Sequence, residues 1–484
     1  MNGENSHNNT SNNSNPQNNL IENTNHQNSS INNQKSIEQN QNEKPRESKV
    51  KITQNPKKFL FVSEESLSGD LAWQIQKEGH EVKAYIAAQS DKDVYDGILD
   101  KVEEWESHID WADVIVFDDV GFGKKADDLR SKGKLIVGGS RYTDELENDR
   151  EFGQKEMERV GMNILPHYDF TSFESAIEFI KQNPGRYVFK PSGNIASAQK
   201  GILFLGEDED GKDLLQILEQ NKKLWAKKIK KIQLQKRAVG VEVAVGAFFN
   251  GKDFTFPINV NFEHKKLFPG DLGPYTGEMG TLMYWSQPNE IFNKTLLKIK
   301  EDIVKSKYVG YIDINCIANS KGIFPLEFTC RFGYPTISIQ MEGIQSELGE
   351  FFYNLAKGET MELKTKKGFQ IGVVIAIPPF PFDDPKETFI YKDLSIMFKK
   401  PTLEGIHIGD VKIINDNWTI AGESGYALVV TGSGNTVEEA RKQTYKRVKN
   451  IMIQNMYYRT DIGQKWSSDS DMLHTEGYLY GNKT

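Results

Sequence analysis

The feature of the sequence that most constrains the fold is a series of short apolar runs that starts abruptly at residue 58. These runs have strand length and occupy residues 59–63, 80–86, 113–118 and 134–138. A segment with helical character at about residues 70–79 separates the first two. Strands that alternate with helices predict parallel βαβ units. Such sheets bind ligands beyond the carboxyl ends of their strands, where residues 63–69 and 118–123 are expected to lie.

The first 55 residues have the opposite character. Asn, Ser, Gln and charged residues dominate them and leave almost nothing to bury. Such a segment does not offset the entropy that is lost on ordering. We therefore expect residues 1–55 to form a disordered Asn-rich extension, with a tethering or assembly role as the less favoured alternative.

The composition is that of an ordinary cytoplasmic enzyme. A formal net charge of −8 argues against general nucleic-acid binding, and the basic run at residues 227–231 is better interpreted as a solvated helix face. No apolar stretch is long enough to span a membrane, and the amino terminus lacks a secretion or import pattern. The two cysteines, Cys316 and Cys330, suit a reducing compartment. We expect Cys330 to be a buried structural residue rather than a nucleophile.

Lys190 stands at the end of an apolar run and is followed by small residues up to Lys200 and Gly201. A lysine in this position can neutralise nucleotide phosphates, and the small residues let backbone N–H groups approach the phosphate oxygens. This pattern alone is weak, because many strands end in lysine and turn residues.

Two neighbouring runs carry oxygen ligands on one face each. Glu327 and Thr329 alternate on one predicted strand, and Asp313 and Asn315 alternate on the preceding one. Oxygen atoms from two adjacent strands are suited to Mg²⁺ between ATP phosphates, and Arg331 can contact a phosphate with its planar fork. A structural ion pair for Glu327 is an equally weighted alternative on this motif alone.

A glycine- and proline-rich segment at residues 270–280 follows the charged residues at 263–266. We expect it to be an irregular loop that exposes backbone N–H groups to an anionic ligand. A plain surface turn is the alternative, but the length of the segment disfavours it.

Several of these segments, in this order, resemble the phosphoribosylamine–glycine ligase family of the ATP-grasp superfamily. Residues 273–280 (GPYTGEMG) are similar to the family signature GP-x-TGGMG, and residues 263–265 (EHK) to its DHK segment. Residues 326–335 (LEFTCRFGYP) resemble IEFNARFGDP. Together with segments at 430–441 and 457–463, the resemblance extends over about residues 58–466.

The resemblance implies an α/β and α+β multidomain enzyme. Its parts would be a pre-ATP-grasp βαβ domain, an ATP-grasp core with a mobile lid, and a mixed carboxyl-terminal domain. The implied boundaries are residues 56–145, 146–365 with the lid at about 167–245, 366–466, and a tail at 467–484.

The resemblance also implies a set of site residues. Lys190 and Arg331 would be catalytic. ATP would contact Arg150, Lys190, Lys200, Gln235 and Glu242. The substrates would contact Lys265, Gly277 and Glu278, and Mg²⁺ or Mn²⁺ would be bound by Glu327, Thr329 and Asn315. The implied reaction activates a small carboxylate, with glycine as the expected one, as an acyl phosphate that an amine then captures in purine biosynthesis. We expect a cytoplasmic monomer or small homo-oligomer.

Four departures from the family pattern fall on sites. The family's glycine-rich phosphate loop is here residues 63–70 (SEESLSGD), whose three acids are unfavourable for a substrate phosphate. Tyr334 stands where the family has an aspartate, and Glu278 stands where it has a glycine. Thr329 stands where the family has an asparagine metal ligand, and Asn315 could compensate for that loss. These changes leave two alternatives open: a ligase for a different amine, and a nucleotide-binding protein without catalytic activity.

Overall fold

The computed structural model describes residues 51–192, 202–382 and 385–481. Lys200 and nearly all of the extension predicted at residues 1–55 lie outside these ranges. The described end of that extension contacts the folded part, because the N–H of Thr53 donates to the carbonyl oxygen of Glu78 (2.8 Å). Among the described residues, no helix is both long and apolar enough to cross a bilayer.

The amino-terminal part is the expected parallel sheet with crossover helices. Its elements are β1 (Lys58–Ser63), α1 (Gly69–Lys77), β2 (Glu81–Ile86), β3 (Asp100–Lys101), β4 (Val114–Phe117), α2 (Gly123–Ser131) and β5 (Leu135–Val137). All neighbours pair in parallel in the order β3-β2-β1-β4-β5. β1 is buried on both faces, which explains why it is an unbroken apolar run. Because β1 and β4 are neighbours, Ser63 and Asp118 meet at one edge of the sheet.

Two helices follow, α3 (Arg141–Asn148) and α4 (Arg150–Arg159). The second agrees with the helix that the sequence predicts near residues 148–160. Asp149 separates them, because its backbone is extended and its side chain accepts from the N–H groups of Glu151 (3.0 Å) and Phe152 (3.1 Å). An aspartate in this role satisfies the unpaired N–H groups at the start of α4.

The predicted lid is a small antiparallel sheet with two helices. It contains β6 (His167–Phe170), α5 (Phe173–Gln182), β7 (Tyr187–Ser192), β8 (Phe204–Leu205), α6 (Lys212–Trp225) and β9 (Lys231–Lys236). The strand order is β6-β9-β7-β8. Its apolar side chains form a hydrophobic cluster separate from the main core, centred on Phe189, Ile180 and Leu218.

The next section of the chain supplies the central sheet. Its elements are β10 (Val241–Asn250), β11 (Phe254–Glu263), β12 (Lys266–Phe268), β13 (Leu272–Tyr275), β14 (Gly280–Ser286), α7 (Glu290–Lys294), α8 (Lys300–Lys305), β15 (Val309–Asn319), β16 (Gly322–Thr329), α9 (Thr336–Gly343) and α10 (Leu348–Ala356). Two expectations were wrong here. The segment at 270–280 is not wholly irregular, since β12 and β13 pair as a hairpin. The helix expected at about residues 293–305 is interrupted by a 3₁₀ turn at Leu296–Ile299.

The carboxyl-terminal section continues the same sheet. It contains β17 (Phe369–Ala376), α11 (Pro385–Tyr391), β18 (Met397–Phe398), β19 (Ile406–Ile408), β20 (Val411–Ile414), β21 (Asn417–Ile420), β22 (Tyr426–Gly434), α12 (Val437–Val448), β23 (Ile451–Met452) and α13 (Trp466–Thr475). Eight strands form one sheet in the order β16-β15-β10-β11-β14-β17-β22-β19. The central sheet is therefore continuous across the domain boundary predicted near residue 366. The tail predicted at residues 467–484 overlaps α13, whose first residue, Trp466, packs on Phe262 (5.3 Å between ring centroids).

Candidate active site

The floor of the candidate site is one face of the central sheet, where β10 carries two small residues. Ala244 lies between Asn315 on β15 and Asn261 on β11, and Gly246 lies opposite Asp313. Directly opposed residues project to the same face of a sheet, so the small residues of β10 are bordered by polar side chains. A side chain at position 246 would not fit, since its Cβ would lie 2.1 Å from the hydroxyl oxygen of Tyr311.

The predicted metal ligands lie on the two neighbouring strands β15 and β16. Asn315 is opposite Glu327, and Asp313 is opposite Thr329, with which it shares a hydrogen bond. Asp313 Oδ1 and Asn315 Oδ1 are buried and have no hydrogen-bond partner in the described part of the chain.

These oxygen donors fit a Mg²⁺ or Mn²⁺ ion that also coordinates phosphate and water, because Mg²⁺ takes only one or two protein carboxylates. The described ranges hold no group of three acidic, His or Cys side chains that could bind a metal unaided. Asp313 was not among the predicted ligands, although its alternation with Asn315 was a signal for it. It supplies a carboxylate beside Thr329, where the family has an asparagine.

Lys190 brings a buried cation from the lid to the central sheet. Its Nζ donates to Gln235 Oε1 (2.8 Å), and both side chains are buried. Burial, followed by the charge of Arg150, lowers the pKa of Lys190 to about 7, and the charges of Glu327 and Glu242 oppose this. The predicted nucleotide residues that are described therefore converge on one place between lid and sheet.

Lys265 is a second, partly buried cation of the site. Its Nζ pairs with Glu242 Oε1 (2.7 Å) and Glu263 Oε2 (3.4 Å). Burial alone would lower the pKa of Lys265, but the charges of these two glutamates raise it well above its usual range. The lysine is thus a fixed positive charge.

The loop between β13 and β14 covers this network. Thr276 attaches it to Lys265 through its N–H (2.8 Å) and its hydroxyl (2.9 Å), both donating to the carbonyl oxygen of Lys265. Gly277 borders open space, with no atom within 4 Å of where its Cβ would lie. Glu278 is buried instead, and its Oε1 has no partner among the described residues.

Arg331 lies toward the amino-terminal sheet. Its Nε is 3.1 Å from Asp119 Oδ1 and 3.2 Å from Glu147 Oε1. Burial alone would lower the pKa of the guanidinium, but the charges of Glu147 and Asp119 raise it, so Arg331 is a permanent cation. Both carboxylates are far from it in sequence, and neither was foreseen. Its predicted contact with phosphate stays a prediction.

The edge formed by Ser63 and Asp118 is acidic. Asp118 Oδ2 accepts from the hydroxyl of Ser63 and from the N–H (2.9 Å) and hydroxyl (2.7 Å) of Ser68, whereas its buried Oδ1 has no partner among the described residues. Burial raises the pKa of Asp118 to about 7. The hydroxyl of Tyr334 donates to the carbonyl oxygen of Asp118 (3.3 Å).

Asp70, the last acid of the predicted loop, has a structural position instead. It contacts His407 Nδ1 (2.8 Å) and accepts from the hydroxyl of Ser338 (2.8 Å), thereby joining α1 to the carboxyl-terminal part. Of the three acids in this segment, only Glu64 and Glu65 are exposed, and their expected repulsion of a substrate phosphate stays a prediction.

Known families match this arrangement over most of the chain. Residues 148–337 match the model described as phosphoribosylglycinamide synthetase, ATP-grasp (A) domain, and residues 370–465 match the C domain of the same enzyme. The chain belongs to the phosphoribosylglycinamide synthetase family. The expectation of an ATP-grasp ligase that forms a C–N bond is thereby confirmed.

Individual relatives of this phosphoribosylglycinamide synthetase family member are distant. The phosphoribosylamine–glycine ligase of Streptococcus pneumoniae (strain ATCC BAA-255 / R6) is 25% identical over 348 residues, which cover 70% of this chain and 80% of the relative. That of Streptococcus suis is 24% identical over the same shares. The low identities agree with a divergent family member.

Solved structures share the fold. The phosphoribosylamine–glycine ligase of Thermotoga maritima superimposes with a TM-score of 0.64 at 22% identity, covering 84% of this chain and 100% of that one. Biotin carboxylase from Campylobacter jejuni reaches 0.56 at 12% identity, covering 88% and 98%. The predicted combination of a parallel amino-terminal sheet, an ATP-grasp core and a mixed carboxyl-terminal part is confirmed.

Proposed function

We propose that this chain joins glycine to phosphoribosylamine at the expense of ATP, through glycyl phosphate, as a step of purine biosynthesis. The names of the curated relatives support this choice of substrates. The cytoplasmic location and the monomeric or small homo-oligomeric state expected from the sequence belong to the same proposal.

The observation that carries the proposal is the convergence of lid and sheet at Lys190. The pKa of the buried Lys190 is near neutrality because the charges of Glu327 and Glu242 do not offset its burial and the nearby charge of Arg150. A nucleotide polyphosphate supplies further negative charge and contacts both cations. The carboxylates of the sheet face would hold a divalent cation, which would neutralise negative charge on the phosphates.

The proposed chemistry has two steps. A carboxylate oxygen of glycine attacks the γ-phosphorus of ATP, and the bond to the β-phosphate breaks to release ADP. The amine nitrogen then attacks the acyl carbon, inorganic phosphate leaves, and the nitrogen loses a proton.

The protein contributes position and charge to both steps. Lys190 and Arg150 bind phosphate oxygens, and Arg331, held by Asp119 and Glu147, faces the side from which the amine approaches. Glu327, Asp313 and Asn315 would hold Mg²⁺, which neutralises charge on the phosphates during transfer.

Isotope transfer tests the acyl phosphate directly. Glycine labelled with ¹⁸O in its carboxylate should yield inorganic phosphate that carries one ¹⁸O atom, measured by mass spectrometry after single turnover. Unlabelled phosphate would mean that water attacks ATP and would overturn the proposal. ATP binding without ADP release, for any amine offered, would indicate the non-catalytic alternative.

One observation favours a second candidate, a ligase of the same mechanism whose amine bears no phosphate. Asp118 and the exposed Glu64 lie at the edge where the family binds a phosphate. Asp118 Oδ1, which has no partner among the described residues, can accept a hydrogen bond from a hydroxyl but would repel an anion once the carboxyl is ionised. Rates of ADP release with phosphoribosylamine and with unphosphorylated glycosylamines, both with glycine, decide between the two. A higher kcat/KM for phosphoribosylamine supports the first candidate, and the reverse order supports the second.

A further inference from the structure

Glu278 is a buried glutamate that the proposed phosphate transfer does not use. It replaces a glycine of the family signature, and only 7% of its surface is exposed. The loop that carries it is fixed on both sides, by the bonds of Thr276 to Lys265 and by the N–H of Met279, which donates to the carbonyl oxygen of His264 (2.8 Å). The position of Glu278 above the sheet face is therefore well defined.

The surroundings of Glu278 are rich in carboxylates. Burial and then the charge of Glu263 raise the pKa of Glu278 well above its usual range, and Asp313 adds to this; the charge of Lys265 and a hydrogen bond from Thr336 oppose the rise. Lys265 already pairs with Glu242 and Glu263. Glu278 Oε1 is left without a partner among the described residues.

A small cation would satisfy this carboxylate better than a metal ion would. In the described part of the chain, no three acidic side chains stand in an arrangement that could hold a metal. The hydroxyl of Tyr426 is also buried and without a partner among the described residues. Tyr426 pairs with Ala376 on β17, two residues from Val374, whose N–H donates to the carbonyl oxygen of Met279 next to Glu278 (3.1 Å). A carboxylate oxygen and a hydroxyl oxygen suit an ammonium group, which donates several hydrogen bonds at once.

The position of Glu278 assigns that ammonium group to the substrate whose carboxylate is phosphorylated, here called the donor. The donor must present its carboxylate to the γ-phosphate beside Asp313 and Glu327, and the nitrogen of glycine is only two bonds from its carboxyl carbon. Glu278 lies two residues before β14, whose Thr281 pairs with Glu263 on the central sheet, whereas the acceptor edge at Asp118 lies at the amino-terminal sheet. We propose that Glu278 binds the α-ammonium group of the donor and restricts this site to small amino acids, excluding plain carboxylates.

This inference rests on the proposed function and has a direct test. Glycine and acetate, which differ by the amino group, are each titrated calorimetrically into the full chain saturated with Mg²⁺ and a non-hydrolysable ATP analogue. The wild type should bind glycine more tightly than acetate. Glu278→Gln keeps the shape of the side chain and removes its charge, and should weaken glycine binding by about ten- to a hundredfold because one charge-assisted hydrogen bond is lost. Acetate binding should not weaken.

Two further variants make the result specific. Glu278→Asp retains the charge and should recover part of the glycine affinity, which a merely structural role would not predict. Glu438→Gln removes an exposed glutamate from α12 and should leave glycine binding unchanged. Affinity for the ATP analogue, measured first, confirms that each variant is folded.

The possible failures are distinguishable. If glycine binds to Glu278→Gln as tightly as to the wild type, or if acetate and glycine weaken equally, the role of Glu278 is overturned while the proposed reaction stands. If the wild type does not use glycine in the ¹⁸O experiment, the proposed reaction itself fails.

Discussion

Lys190 should make the affinity for MgATP depend on pH. In the free protein its pKa is about 7, mainly because its Nζ is buried and secondarily because Arg150 is near. About half of the molecules then carry the charge at pH 7, and about one tenth at pH 8. The phosphates of ATP favour the charged form, so the complex should be fully protonated at Lys190.

The size of the effect follows from these fractions. Binding of MgATP should take up about 0.5 proton at pH 7 and about 0.9 at pH 8. Because the complex holds more protons than the free protein, raising the pH disfavours it. Affinity should fall about fivefold, or about 1 kcal/mol, between pH 7 and 8, and approach a tenfold fall for each further pH unit.

Calorimetric titration with MgATP in two buffers of different ionisation enthalpy measures this proton uptake. Lys190→Met keeps a side chain of similar length and should abolish the uptake as well as weaken binding. Lys228→Met, at an exposed lysine of the lid, is the matched control and should behave as the wild type. Proton uptake near zero at pH 8, or uptake that persists in Lys190→Met, would refute the reasoning.

Three further predictions concern the metal site, the acceptor edge and the lid. Glu327→Ala should lower Mg²⁺-dependent turnover by at least a hundredfold, as expected when about 3 kcal/mol of charge stabilisation is lost; unimpaired steady-state ADP release would contradict the metal role. Asp118→Asn should lower the KM for phosphoribosylamine above pH 7, because the pKa of Asp118 is about 7 and its carboxylate repels phosphate only when ionised. At pH 6 the variant and the wild type should have the same KM. Equal KM values at pH 8 would exclude the repulsion. Leu218→Ala should destabilise the lid by about 2–5 kcal/mol, because the side chain is fully buried in the separate lid cluster. Hydrogen exchange should then rise in β7 and α6 but not in β10, and a uniform rise over all three would show that the lid is not an independent unit.

The local sequence was sufficient to predict most strands. An apolar run of strand length has few other uses, and the runs at residues 59–63 and 113–118 became buried strands with ends within a residue or two. Helix ends were less visible in the sequence. Asp149 is both an acceptable surface residue of a helix and a strong cap, and only its backbone conformation shows that it separates α3 from α4.

The chemistry of individual residues was likewise visible in the sequence, but their partners were not. Period-two alternation put Asp313 and Asn315 on one face of a strand, yet it does not say which residue of the next strand lies opposite. The register of β15 with β16 decided that Asp313, and not Asn315, lies beside Thr329.

The sequence by itself determined that this chain is an ATP-grasp ligase, because the motifs that resemble those of the family are local and lie in family order. Tertiary structure decided how their charges are used. Arg331 is held by Asp119 and Glu147, Lys265 by Glu242 and Glu263, and the carboxyl-terminal strands extend the central sheet through β14 and β17. Such pairings join segments far apart in the chain, and electrostatic energy depends on the distances and burial that only the folded arrangement sets.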